Sequence, residues 1–300
     1  VHNKTVAYLA AISAMAFFAF SYVWFKIANE TYGPVTIVFS RLLIAITFLS
    51  LYLLLTKGFE KIRKGDYKYF MLLALCEPFL YFIFEGYGLE KVSSTVAAVI
   101  VSIIPVFTAI GGQLIFNERL RAINYSGIVI SFSGILVFML SGESNLSFNT
   151  TGIILMLMAV LCATGYSLLL RKLVHNYSPV FIVNTQNIIG AILFLPLFLI
   201  IDGKEIPHLV FDKESVRAIV QLAVFASCGS FILLGYSVRI IGIARANLFA
   251  NLLPVITALY AFHILGESVT IEKYAGIIIM IAGLTLSQVN GNSILSKENT

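Results

Sequence analysis

The sequence predicts an all-α membrane protein: ten transmembrane helices arranged as two inverted five-helix repeats. Three observations predict it. The 300 residues are 59% hydrophobic and only 12% charged, with a mean hydropathy of +0.94. The apolar residues fall into ten runs of about the length that spans a bilayer. The chain also matches itself at an offset near half its length. A soluble globule is excluded, because its surface alone needs more polar side chains than this chain owns.

The runs are 5–27, 34–56, 68–89, 92–116, 122–141, 151–171, 179–201, 215–238, 243–265 and 272–290. The first follows Lys4, and Ala14-Met15-Ala16 resembles a leader-peptide cleavage site. Its apolar stretch exceeds a secretory core and has a counterpart later in the chain, so it reads as a span. The second carries Arg41 about seven residues, roughly 10 Å, into the helix. In the third, Pro78 should bend the helix beside Glu77. The fourth holds Ser102 and Pro105 and ends at Glu118. The seventh carries Asn184, Gln186 and Asn187. The ninth holds Asn247, Asn251 and Pro254 and ends at Glu267. Continuous rather than alternating apolarity excludes a β-barrel.

Lys and Arg set the orientation. With the N-terminus in the cytoplasm, 13 of the 20 basic residues face inward and six outward, with Arg41 left in the membrane. Both termini are therefore expected in the cytoplasm, and the segment from Lys57 to Lys68 carries most of the bias.

An offset of 149 residues superposes Pro105 on Pro254, Glu118 on Glu267, Gly127 on Gly276, Gly134 on Gly283, and Gly86-Tyr87 on Gly235-Tyr236. An offset of 145 pairs Tyr32-Gly33-Pro34-Val35 with Tyr177-Ser178-Pro179-Val180. The units implied are 1–145 and 146–300. An odd number of spans in each puts the second into the membrane upside down.

The stretch from Ala97 to Pro105 followed by Glu118-Arg119-Leu120, with its counterpart from Ala244-Arg245-Ala246-Asn247 through Pro254 and Gly266-Glu267-Ser268-Val269, resembles EamA-type members of the drug/metabolite transporter superfamily. The resemblance covers residues 5 to 290. It implies ten helices, two repeats and export of small metabolites. Where such proteins often carry Trp-Gly-Ser in the first helix, this chain has Phe18-Ala19-Phe20.

Polar residues found in only one half are the better candidates for substrate contact. Helical steps of four place Glu77, Tyr81 and Glu85 on one stripe, whose repeat partners are Ala226, Ser230 and Leu234. A salt bridge from Glu77 to Arg41 is the plainer alternative. Arg41 should find a carboxylate or a substrate anion. Asn247, Asn251 and Pro254 share a face that matches Ala98, Ser102 and Pro105, which suggests a polar cavity wall. Tyr22 and Tyr236 complete the candidates for substrate binding or coupling. Pro105 and Pro254 are expected to bend their helices, and Glu118 and Glu267, set where the helix dipole disfavours an anion, should cap a helix or pair with an Arg.

Cys76, Cys162 and Cys228 form no bridge framework, and the four His residues form no metal cluster. No catalytic or nucleotide-binding motif is present, so neither an enzyme nor a cofactor is expected. The expected function is a secondary transporter of the cytoplasmic (inner) membrane that exports a small polar or amphipathic metabolite, such as an amino acid or related compound, by alternating access. Import of a nutrient by the same fold and a channel are the alternatives. The expected partners are the substrate, the lipid bilayer and protons, with no nucleic acid and a monomeric or weakly dimeric state.

Overall fold

The computed structural model describes residues 4–116, 122–140, 149–202, 211–267 and 270–287, and all regular elements among them are helical. In chain order these are α1 (Lys4–Asn29), α2 (Pro34–Leu55), α3 (Tyr67–Leu89), α4 (Ser94–Val101), α5 (Ile104–Phe116), α6 (Ala122–Leu140), α7 (Thr150–Leu173), α8 (Pro179–Ile201), α9 (Lys213–Ile241), α10 (Ile243–Asn247), α11 (Leu253–Leu265) and α12 (Ile271–Ser287). Among the described residues, seven stretches are long and apolar enough to cross a membrane: α1, α2, α3, Ser94–Gly111, α7, α8 and α9. Ala122–Phe138 and Phe249–Leu265 are shorter apolar helices. Leu55 and Ile200, about three-quarters exposed, typify an outer surface that lipid would cover.

Helix starts are chemically marked. Ser93, Asn149, Ser178 and Asp212 each accept a hydrogen bond from a backbone N–H three residues on, and Pro34 and Pro179 occupy first turns, where the missing N–H removes no bond. Carboxylates from the other half add to these caps. Glu60 Oε1 accepts from the Ser178 N–H at 2.8 Å, and Asp202 Oδ2 accepts from the Thr36 N–H and hydroxyl at 2.9 and 2.6 Å. Thus α2 and α8, which pack together, each receive an anion at the positive end of the helix dipole from the other's C-terminal side.

The fourth and ninth runs are interrupted rather than bent. Between α4 and α5 the break falls at Ser102 and Ile103, and a 3-10 turn, Leu248–Leu252, joins α10 to α11. Pro105 and Pro254 lie in the first turn of the piece that follows, so neither forces a bend inside a continuous helix.

The sequence repeat is visible in the packing. A Cβ built on Gly86 would meet Pro34 Cβ at 3.1 Å, and one on Gly235 would meet Pro179 Cβ at the same 3.1 Å. Tyr177 donates its hydroxyl to Asp66 at 2.8 Å, while Tyr32, its repeat partner, accepts from the Asp212 N–H at 3.5 Å. The α-helical ladder is interrupted at matching places in α3 and α9, by a kink within Leu75–Leu80 and by a π-helical stretch at Leu222–Ser230. Helices α6 and α12 approach backbone to backbone. A Cβ on Gly127 would lie 2.7 Å from the Gly283 carbonyl oxygen and one on Gly134 2.7 Å from that of Gly276, with the reverse contacts at 2.7 and 2.8 Å. Only glycine permits this approach, the means by which helices without a hydrophobic driving force between them pack tightly.

Candidate functional site

Helix α3 places the acidic residues. Within Leu75–Leu80 the helix is broken by a kink: Glu77 has extended backbone (φ −151°, ψ 120°) and is joined to Pro78 by a cis peptide bond. The α-helix resumes at Tyr81, and one turn later Glu85 Oε1 accepts the Tyr81 hydroxyl at 2.7 Å. Glu77 and Glu85 are only 6% and 7% exposed. The matching stretch of α9 has neither proline nor carboxylate.

Arg41 reaches the same region from α2. Its guanidinium carbon sits 3.6 Å from the centroid of the Phe82 ring, in cation–π geometry. The one ion pair among the described residues joins Arg217 to Glu214, both well exposed, so Arg41 makes no salt bridge to Glu77 or Glu85. Its Nε has no hydrogen-bond partner although the residue is 3% exposed.

These groups line one pocket, with about 730 Å³ of empty space when the solvent at its open side is counted. Its polar wall holds Tyr22, Arg41, Glu77, Tyr81, Glu85 and Tyr166, with Ser21 and Ser167. Its apolar wall is built from Phe18, Ile104, Ala226, Phe231, Leu234 and their neighbours. Most of the lining consists of repeat partners. Phe18 and Ala163, Ser21 and Tyr166, and Tyr22 and Ser167 are related by the 145-residue offset. Glu77 and Ala226, Phe82 and Phe231, Glu85 and Leu234, Val101 and Ala250, and Ile104 and Leu253 are related by the 149-residue offset. The cavity therefore lies where the halves meet, and every formal charge on its wall comes from the first half.

Of the residues singled out from the sequence, the cavity gathers Tyr22, Arg41, Glu77, Tyr81, Glu85 and Pro105. Ser102 is fully buried and donates to the Val99 carbonyl at 2.6 Å. Asn251 donates to Thr285 Oγ1 at 3.4 Å, away from the cavity. Tyr236 and Pro254 do not line it. The side chain of Asn247 and the whole of Glu118 lie outside the described residues. Glu267 caps α4: its carboxylate accepts from the Ser94 and Thr95 N–H groups at 2.8 and 3.2 Å and from the Thr95 hydroxyl at 2.8 Å. On α8, Asn184 accepts from Ser50 at 3.1 Å and so links that helix to α2, while both polar atoms of Gln186 lack partners. Sequence reasoning missed Phe82, Tyr166, Ser167 and Phe231; their register against Ser21, Tyr22 and each other was the signal available.

Known proteins resemble this chain in sequence and in fold. The model of the EamA-like transporter family matches the chain twice, over residues 5–140 and 150–288. An uncharacterised transporter of Bacillus subtilis (strain 168), YcxC, is 28% identical over 96% of this chain and 95% of its own length. An uncharacterised transporter of Archaeoglobus fulgidus is 25% identical over 96% and 98%. A crystal structure at 12% identity superposes with a TM-score of 0.71, covering 95% of this chain and 97% of the other, which establishes likeness of fold.

Proposed function

Since this chain belongs to the EamA-like transporter family, we propose that it is a secondary transporter that exports a small polar or amphipathic metabolite, such as an amino acid or related compound, across the cytoplasmic membrane by alternating access. In this reading ten spans form two inverted five-helix units, 1–145 and 146–300, and both termini face the cytoplasm. The cavity at their junction is the substrate site, with Tyr22, Arg41, Glu77, Tyr81 and Glu85 as its polar contacts.

One observation carries the reading. Two buried carboxylates with apolar repeat partners, Glu77 and Glu85, face a pocket between the halves, and nothing in the repeated framework requires them there. Charge inside a membrane span is costly and is retained where it handles substrate or ions. Two halves that share a central site can expose it alternately to either side by rocking about it. Protons are the coupling ion in this proposal, carried by the carboxylates of α3.

Counterflow tests it. Purified protein is placed in vesicles loaded with unlabelled amino acids and diluted into a trace of the labelled mixture. A carrier produces transient accumulation of label above equilibrium. Simple equilibration without overshoot would assign the chain a channel-like activity, and no uptake would remove amino acids from the substrate class.

A further inference from the structure

Resting on the reading of the cavity as a substrate site, the geometry points to a narrower ligand: we propose that Glu77 receives the ammonium group of an amphipathic organic amine, whose apolar body lies against Ala226, Phe231 and Leu234.

The argument begins with charge. The described lining contains two carboxylates and one guanidinium. Arg41 lies on the Phe82 ring, 3.6 Å from its centroid. Glu85 accepts the Tyr81 hydroxyl at 2.7 Å. Thus Arg41 has a partner, and so does Glu85. Glu77 does not. It is 6% exposed and faces the cavity without a hydrogen-bond donor or an ion pair among the described residues. A carboxylate so placed is either protonated or matched by a cation, because a bare charge is costly to bury.

The second observation is the Tyr166 hydroxyl. This residue is 2% exposed and lines the same cavity, and its oxygen is within hydrogen-bonding range of no described group, although the equally unpaired Gln186 amide lies beside it. A hydroxyl can accept as well as donate, so it can take one N–H of an ammonium whose others go to Glu77. The remaining walls fit the rest of such a ligand. Opposite the charged face the repeat partners of Glu77, Phe82 and Glu85 are Ala226, Phe231 and Leu234, and Phe231 stands edge-on to Phe18 and Tyr166 with ring centroids 5.1 and 5.7 Å away. Rings presented to a cation or to an aromatic body add further attraction.

Binding then has a balanced proton ledger. The protonated Glu77 gives its proton to water as the ammonium enters, the ammonium keeps all of its own, and the carboxylate so formed is neutralised by it. One proton leaves for each amine bound, and exchange of amine for proton follows without any other coupling group.

Calorimetry on the purified wild-type protein tests this with 2-phenylethylamine, 2-phenylethanol and 3-phenylpropionate, which share an apolar body and differ in head group. Repeating titrations in buffers of different ionisation heat counts protons. The amine should bind at least tenfold more tightly than the other two and release close to one proton. Glu77→Gln should lose both the preference and the release, and Glu272→Gln, at the exposed start of α12 and outside the cavity, should keep both. Binding of the alcohol or acid as tight as the amine, no binding of any of the three, or proton release that persists in Glu77→Gln would overturn the proposal. Should Glu77→Gln not fold, the wild-type head-group order and proton count decide alone. Amino-acid counterflow in wild type with no amine preference would leave the transporter reading standing and sink only this one; amine binding without any counterflow would do the reverse.

Discussion

Arg41 lays its guanidinium on the face of Phe82, 3.6 Å from the ring centroid, and not on either carboxylate of α3. A desolvated cation–π contact is worth about 2 kcal/mol or more. Phe82→Leu should therefore lower stability by about 2–3 kcal/mol, from the lost contact and the lost ring volume. In double-mutant cycles read by thermal unfolding, the coupling of Arg41→Gln with Phe82→Leu should exceed its coupling with Glu77→Gln. The reverse order would mean that a salt bridge to Glu77, not the ring, holds the guanidinium.

Glu267 neutralises the exposed N–H groups at the start of α4 from across the sequence repeat. Loss of a cap of this type costs about 1–2 kcal/mol. Glu267→Ala should show that drop in detergent, whereas Glu30→Ala, at an exposed position just after α1, should stay within about 0.5 kcal/mol of wild type. Equal effects would show that Glu267 is not a cap.

The glycine seam predicts a sharp contrast. At Gly134 an added methyl meets the backbone of α12, while at Gly65 nothing lies within 4 Å. Gly134→Ala should cost about 1–3 kcal/mol, as overpacking does, and lower the yield of folded protein. Gly65→Ala should leave unfolding unchanged. A wild-type melting temperature for Gly134→Ala would show that α6 and α12 do not pack this closely.

The spans were legible because a helix that crosses lipid must be apolar throughout, and the register of the halves because Pro, Gly, Glu and Tyr recur in fixed order. Positions within the site were less legible. Asn251 and Ser102 were assigned to a cavity wall by assuming unbroken helical phase toward Pro254 and Pro105. The 3-10 turn at Leu248–Leu252 advances at three residues per turn, and the break at Ser102 and Ile103 also resets the phase, so these side chains face packing partners instead. Tyr166 and Phe231 line the cavity with the same side chains that elsewhere face lipid, so composition does not mark them. The resting place of Arg41 depends on a ring five residues beyond Glu77, which depth along a helix does not reveal.

Orientation is tested independently. A reporter active only in the cytoplasm should be active when fused after residue 300 and silent when inserted near Asn145, because an odd number of spans separates the two sites in the proposed topology. Activity at both sites would overturn the inverted arrangement.

The contacts between α6 and α12 are exchanged by the repeat itself: Gly127 meets Gly283, and the partners of these two, Gly276 and Gly134, meet each other. That is the isologous geometry of a twofold homodimer, written into one polypeptide. A side chain acceptable at one glycine must be accommodated at its counterpart's neighbour, so the two halves are not free to drift apart along this seam. Elsewhere they have done so, most completely at Glu77 and Ala226. The molecule thus behaves as a fused pair whose contact surface keeps the twofold symmetry while its chamber has been released from it, and it is that release which lets one side of the chamber carry all the charge.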